Sequence, residues 1–441
     1  MVYYGADGIA YELTNRLGGG GEGDIYTIKG DSNKVAKIFK KIDLQMSLKI
    51  RALSEAVQWS ELIVKNAMLP LTTLFSDNTC SGECVGFVMN RLKCKELLLD
   101  VYNQPENRIS IYNQACLAEN ICRLVDEIHK AGMVNGNHAI ILGDFNPKNI
   151  FVDRRTGQVQ LTDTDSFHVT VKYRNRVREL KCRALYKDLF FIPEILKACV
   201  SQNTSLENVQ GETFTIYTDY FCMAYHVHKL LLGVEPYAGE RVQSAIDSSD
   251  SVETAPSDAV LASAGNYVYT NVRSGYRIPS RFPDFSILTP QLQRLFRRAF
   301  QDGASDPKAR PTAAEFAEAL GEYISQLDYC HCNGWDHYLI HSYDKDYCEW
   351  CRVEHESGDR RVFFSQNVPY MTDQELLHSL ELDLKKVFKA EIYYNLGIRS
   401  KKNDRIQARE YLLKAADMFR GNSQPGAIKR QDQIKEQLGK L

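Results

Sequence analysis

Residues 142 to 165 read LGDFNPKNIFVDRRTGQVQLTDTD, and the fold turns on this stretch. Asp144 is followed five positions later by Asn149. Two apolar runs, Ile150-Phe151-Val152 and Val159-Gln160-Leu161, flank a polar turn from Asp153 to Gln158, which is a hairpin pattern. The acidic group Asp163-Thr164-Asp165 follows the second run. The hairpin thus carries an acid–amide pair at its mouth and returns a second carboxylate beside it. Hard oxygen donors of this kind suit Mg²⁺ with phosphate as co-ligand, and leave an Asp to receive a hydroxyl proton. By itself the stretch also fits an acidic β-hairpin in an unrelated domain, so its neighbours carry the decision.

The chain has 441 residues, 44% of them hydrophobic and 25% charged, the composition of a globular protein with room for two or three domains. A net charge of −2 offers no bulk attraction to nucleic acid or to a membrane surface. The N-terminal MVYYGADGIAYEL has neither a basic n-region nor an apolar h-region, and no apolar run reaches spanning length. The expectation is a cytoplasmic protein whose 12 cysteines are reduced, with metal binding where they cluster.

Upstream, Gly18, Gly20 and Gly23 fit G-x-G-x-x-G, with Ile25 at the apolar position two residues on. Glycines let a backbone approach phosphates, although four in a row also fit a flexible turn. A dinucleotide-binding loop should open a helix. Here a turn and another strand, Lys34 to Phe39, follow instead. Lys37 sits inside that apolar run, where a solvated strand-edge lysine is the plainer alternative. The spacing predicts a helix over 41–65, with Glu55 placed 18 positions after Lys37 and Glu61 further along the same segment. Gly86 to Met89 reads as a strand, and Met89 to Leu92 as a linker.

In these motifs the chain resembles the eukaryotic-type protein kinases. Asp144-Phe145-Asn146-Pro147-Lys148-Asn149 has the spacing of the catalytic loop, and Asp163 falls at the metal-binding Asp of D-F-G. The resemblance covers about residues 10 to 325. It implies an α+β, two-lobed kinase-like fold with an antiparallel-sheet N-lobe, about 1–92, and a helical C-lobe, about 93–325. It implies ATP and Mg²⁺ as well. Gly18, Gly20, Gly23, Ile25, Met89 and Leu92 would line the nucleotide, and Lys37, oriented by Glu55 or by Glu61, would hold its phosphates. Asn149 and Asp163 would hold the metal, and Asp144 would position the accepting hydroxyl. Glu194, in Ile192-Pro193-Glu194, would pair with Arg310, and Asp219 would anchor the catalytic-loop backbone. Residues 168 to 190 would be the activation segment; its lysines and arginines fit a docking surface for an anionic substrate or phosphate or a solvated basic hairpin equally, and Thr170 and Tyr173 are candidate phosphorylation sites.

Three departures stand out. Leu142-Gly143 replaces His-Arg, Asn146 replaces the catalytic-loop Lys, and Thr164-Asp165 replaces Phe-Gly, placing an extra carboxylate near the metal. Gly143-Asp144, Asn146, Asn149 and Asp163-Thr164-Asp165-Ser166-Phe167 match a divergent bacterial kinase group, whose members are fused to helix-hairpin-helix modules or belong to tellurite-resistance-type triads. That group implies a protein substrate, a cognate protein phosphatase, a von Willebrand-type partner and a zinc-binding tail.

The tail carries such a cluster. Cys348-Glu349-Trp350-Cys351 is a C-x-x-C knuckle, and Cys332, His337, Cys348 and Cys351 form the preferred structural Zn²⁺ set, with Cys330 and His341 as competitors. The expected module spans 326–358. Residues 359–441 are expected to be a linker and a helical tail, in which Tyr393 to Gly397 and Ala408 to Ala416 resemble a tetratricopeptide unit or form a plain helical hairpin. The 239–268 segment reads as a mobile insertion. The function expected is protein Ser/Thr phosphorylation. A nucleotide-binding pseudokinase scaffold and a small-molecule kinase of the same fold are the alternatives.

Overall fold

The computed structural model describes residues 1–103, 111–136, 138–154, 156–173, 175–182, 190, 192–202, 204, 214–241, 258–270, 276–278, 282–329, 338–340, 349, 352–353, 368, 372–381, 386–422 and 425–441. Six strands open the chain: β1 (Val2–Gly5), β2 (Ala10–Gly19), β3 (Gly23–Ile28), β4 (Asp31–Phe39), β5 (Thr72–Phe75) and β6 (Gly86–Asn90). They close in the order β1-β2-β3-β4-β6-β5, every pair antiparallel. Alternation along β2 sends Tyr11 and Leu13 inward, where they meet Ile28, Ala36, Leu74 and Val88. Closure leaves these strands no free edge.

The helix expected over 41–65 is two helices, α1 (Leu44–Glu55) and α2 (Glu61–Asn66). Capping explains the break. Asp43 accepts the amide of Met46 at the start of α1, and Ser60 accepts that of Ile63 at the start of α2. The indole of Trp59 donates to the Leu53 carbonyl at 3.0 Å and satisfies one acceptor that the end of α1 exposes.

After β7 (Glu96–Leu97) and α3 (Leu98–Asn103), the long helix α4 (Ile111–Gly136) runs through the largest apolar cluster. Past α5 (Pro193–Gln202), α6 (Ile216–Leu232) and the helix Ala313–Gln326 both pack against α4. Ala52, Leu53 and Ile63 belong to the same cluster, so α1 and α2 are rooted in the helical part as well as beside the barrel. The expected hairpin forms from β8 (Ile150–Asp153) and β9 (Gln158–Leu161), in the register Ile150↔Leu161. A short 3₁₀ turn, Thr164–Ser166, leads to a second hairpin of β10 (Val169–Tyr173) and β11 (Arg176–Leu180).

One expectation is corrected at the end of the 239–268 segment. Residues 242–257 lie outside the described residues, but Leu261, Ala262 and Tyr267 are buried in the main core. The Tyr267 hydroxyl meets His228 Nε2 at 3.1 Å. That stretch is packed because an aromatic ring and two aliphatic side chains gain more by burial than a solvated loop would. At the C-terminus, the helices Lys386–Ser400 and Arg405–Phe419 form a hairpin, and Pro425–Gly439 packs on the second of them. A Cβ at Gly397 would lie 2.7 Å from Leu412 Cγ, so glycine there permits the close helix approach. Among the described residues, no helix is long and apolar enough to cross a membrane.

Candidate active site

The site is built where the open end of the β2–β3 loop faces the loop 142–149. Lys37 lies on β4 between Ile25 and Phe87 of the neighbouring strands, and its side chain is 9% exposed. Its ammonium lies 2.9 and 2.8 Å from the two carboxylate oxygens of Asp165 and 3.5 Å from Asp163 Oδ1. Burial pulls the ammonium pKa down, but the charges of Asp165 and Asp163 oppose it, and the net shift is upward. Lys37 is therefore held charged in a place where water is scarce.

Glu55 takes no part in this ion pair. It ends α1 in an exposed position, with one oxygen 3.9 Å from Arg51 Nε. Glu61 is exposed in the first turn of α2. Helix phase is the reason: α1 turns Ser47, Lys49, Ile50 and Leu53 inward and Glu55 outward. Lys49 lines the cavity that Lys37 enters, and its ammonium donates to the Lys181 carbonyl at 2.7 Å.

Asp144 is held by its own loop. Asn146 Nδ2 donates to Asp144 Oδ1 at 2.6 Å, and Asn149 Nδ2 donates to Asp144 Oδ2 at 3.2 Å and to its carbonyl at 3.0 Å. Asn146 accepts the Lys148 amide in turn, at 2.9 Å. From below, Asp219 on α6 accepts the amides of Leu142 and Gly143 at 2.7 and 3.1 Å, and meets His129 Nε2 at 3.0 Å. His226, also on α6, donates from Nε2 to the Phe145 carbonyl at 3.0 Å, while its Nδ1 accepts from the Tyr102 hydroxyl at 2.9 Å. Burial pushes the His226 pKa down to about 4, which keeps the ring neutral and this donor–acceptor assignment intact. Gly143 has φ of 72°, and a Cβ there would lie 2.7 Å from Cys182 Sγ, so the position has no room for a side chain.

Asp163 adopts φ of 53°, and its carboxylate is 55% exposed. Asp163 and Asn149 both border a cavity of about 530 Å³ whose apolar wall includes Val35, Met89, Leu92 and Phe151. Next to it, a cavity of about 660 Å³ is bordered by residues 18–23, Lys37, Asp144 and Asp163. Ile25 and Gly18 border both. In the glycine loop, Gly20 donates its amide to the Gly23 carbonyl at 2.9 Å. A Cβ at Gly23 would lie 2.7 Å from the Ile38 carbonyl oxygen, whereas Gly18 and Gly20 have open space.

Farther out, Arg310 makes two parallel bonds to Glu194, at 2.7 and 2.6 Å, and donates to the carbonyls of Tyr217 and Gly303. The expected zinc ligands Cys332, His337, Cys348 and Cys351, with Cys330 and His341, lie outside the described residues. Among the described residues, no group of three or more His, Cys, Asp or Glu is arranged to hold a metal ion. Glu349 accepts the Asp284 amide at 2.7 Å, and Arg352 donates to the Phe282 carbonyl at 3.2 Å.

Two of these residues, His129 and His226, carry no local sequence pattern, because nothing within a few residues marks a side chain that supports a distant loop. Asn146 and Asp165 are singled out by the sequence, as a replacement for the catalytic-loop Lys and as an extra carboxylate near the metal, but the structure gives them other partners, Asp144 and Lys37. The position of Asp165 two residues after Asp163, within a tight turn, was the available signal that it faces a different way.

The chain combines helices with antiparallel sheets, and a polar cluster lies where the barrel meets the helices. No protein-family model matches the chain. It is similar to Protein kinase YegI of Escherichia coli K12, 27% identical over 350 residues, covering 78% of this chain and 49% of that protein. The same-named protein of Escherichia coli O157:H7 is 27% identical over 359 residues, covering 80% of this chain and 50% of that one. The chain thus spans about half the length of the curated relatives it matches.

Proposed function

We propose that the protein transfers the γ-phosphoryl group of ATP to a Ser or Thr hydroxyl of a protein substrate. The observation that carries this reading is the convergence of Lys37, Asp144, Asn149 and Asp163 on two adjoining cavities, one walled by apolar side chains and the other by glycines. The first has the character that an adenine ring requires, and the second that of a phosphate chain. The division into a barrel lobe and a helical lobe follows from the same reading, with the cleft between them.

Phosphoryl transfer asks a protein mainly for positioning and charge neutralisation. Lys37 supplies a buried positive charge for the phosphates. The exposed carboxylate of Asp163 and the oxygen of Asn149, whose amide nitrogen is committed to Asp144, form the hard donor set that would hold Mg²⁺. Bound there, the ion would neutralise charge on the transferring group. Asp144, braced by Asn146 and Asn149, has its carboxylate oriented to accept a hydrogen bond from the incoming hydroxyl.

A second reading, a nucleotide-binding scaffold without transfer, is favoured by the engagement of Lys37 with Asp165. Transfer of γ-labelled phosphate from Mg-ATP to the protein itself and to a generic basic protein decides between them. Label that disappears in Asp144→Asn and Asp163→Ala supports transfer by these residues. ATP binding without any label selects the scaffold. Label unchanged in both variants overturns the assignment of the site.

A further inference from the structure

We infer that Asp165 is the residue that positions Lys37, taking from within the 163–165 turn the place expected for a carboxylate on α1. The inference deepens the phosphoryl-transfer reading and rests on it for its catalytic consequence, though not for the contact itself.

Three independent features support it. First, Asp165 presents both carboxylate oxygens to the ammonium, at 2.8 and 2.9 Å, and its side chain is 3% exposed. A buried two-oxygen contact fixes direction as well as charge. Second, α1 brings no carboxylate to Lys37. Glu55 faces solvent beside Arg51, and the helix turns Lys49 toward the cavity, tethered to the Lys181 carbonyl. Third, the turn is built to aim Asp165. Asp163 takes a left-handed conformation, Ser166 donates its amide to the Asp163 carbonyl at 2.9 Å, and Thr164 is pinned to Met68. With Thr164 buried on one side of the turn and Asp163 exposed on another, Asp165 is directed at β4.

The consequence is a division of labour between two carboxylates two residues apart. Asp165 neutralises and orients Lys37. Asp163, farther off at 3.5 Å and largely exposed, remains available to a cation. One short turn then sets the positions of both the phosphate-binding Lys and the metal-binding carboxylate. The group that orients Lys37 is carried by this turn and not by α1.

The test is a double-mutant cycle on binding of a fluorescent ATP analogue in EDTA, which removes any role of Asp163 as a metal ligand. Lys37→Met and Asp165→Asn are each expected to weaken binding by roughly tenfold or more, the order of one charge-assisted contact. The double variant is expected to be no weaker than Lys37→Met alone, since Asp165 acts through Lys37. Asp165→Glu, which keeps the charge, should recover part of the loss, and Glu55→Gln should change nothing. Melting temperatures identify variants that fail to fold; Asp165→Ser, paired with Lys37→Met, then completes the cycle. In turnover, Asp165→Asn should raise KM for ATP and lower kcat together. Losses in Lys37→Met and Asp165→Asn that add in the double variant overturn the inference. So does tighter binding by Asp165→Asn, which would make the ion pair a brake. If the wild type transfers no phosphate but the binding cycle shows coupling, the proposed function fails and the positioning role stands.

Discussion

Asp144 has both carboxylate oxygens occupied by amide donors from its own loop, Asn146 and Asn149. That arrangement fixes its orientation without neutralising it. Replacement by Asn keeps the shape and removes the proton acceptor, so Asp144→Asn is expected to lower phosphoryl transfer by about 10²- to 10⁴-fold while leaving ATP affinity within about twofold. Single-turnover rates and analogue binding, measured side by side, check it. The glycine loop gives a second residue-scale prediction. Gly23→Ala drives a Cβ to 2.7 Å from a main-chain oxygen of Ile38 and is expected to cost about 1–3 kcal/mol. Gly20→Ala meets nothing within 4 Å and should stay within about 0.5 kcal/mol of the parent in urea denaturation. Three glycines that look equivalent in the motif are thus unequal in the folded chain, because only a neighbour's backbone turns a missing Cβ into a requirement.

At the scale of elements, α6 is the platform on which the loop 142–149 rests. Asp219 accepts two loop amides and His226 donates to a third main-chain group. Asp219→Ala leaves two buried N–H groups without their acceptor, at about 1–3 kcal/mol each. The expected result is a lower melting temperature together with a fall in kcat that exceeds the change in KM, because the loop that carries Asp144 loses its floor. Equal kcat at matched folded fraction would show that the loop holds its shape without α6. The break between α1 and α2 belongs here too. The helical pattern expected over 41–65 runs through Trp59 and Ser60. Their side chains instead take up main-chain groups and end one helix and begin the next.

For the whole molecule, two buried histidines on α6 tie stability to pH. Burial lowers His226 to about 4 and His228 to about 3, against an ordinary value near 6.5. The unfolded chain binds protons at these sites at higher pH than the folded chain does, so folding is opposed as pH falls. The stability is fully present above about pH 6.5. It is lost as pH drops toward about 4, at up to about 1.4 kcal/mol per pH unit for each ring. Denaturation midpoints between pH 7.5 and 4.5 are expected to fall accordingly, and His226→Gln should remove about half of that slope. Arg310 acts at the same scale, joining Glu194, Tyr217 and Gly303 from its fully buried position. Arg310→Met strips Glu194 of its partner and is expected to cost about 3–5 kcal/mol, seen as a large loss of melting temperature.

Sequence alone determined the order of the elements around the site. Apolar runs marked β4, β6, β8 and β9, glycines marked the β2–β3 loop, and the spacing of Asp144, Asn149 and Asp163 marked the groups that border the cavities. These are local properties: a strand's period or a turn's composition is written within a few residues. What lies opposite a side chain across 128 positions of chain is not, and there the tertiary structure decided. Helix phase took Glu55 out to solvent, a left-handed residue aimed Asp165 at Lys37, and Cys182 filled the space over Gly143. Each outcome depends on which surfaces the packed core brings together, and that is set by the burial of the whole chain at once, not by any stretch within it.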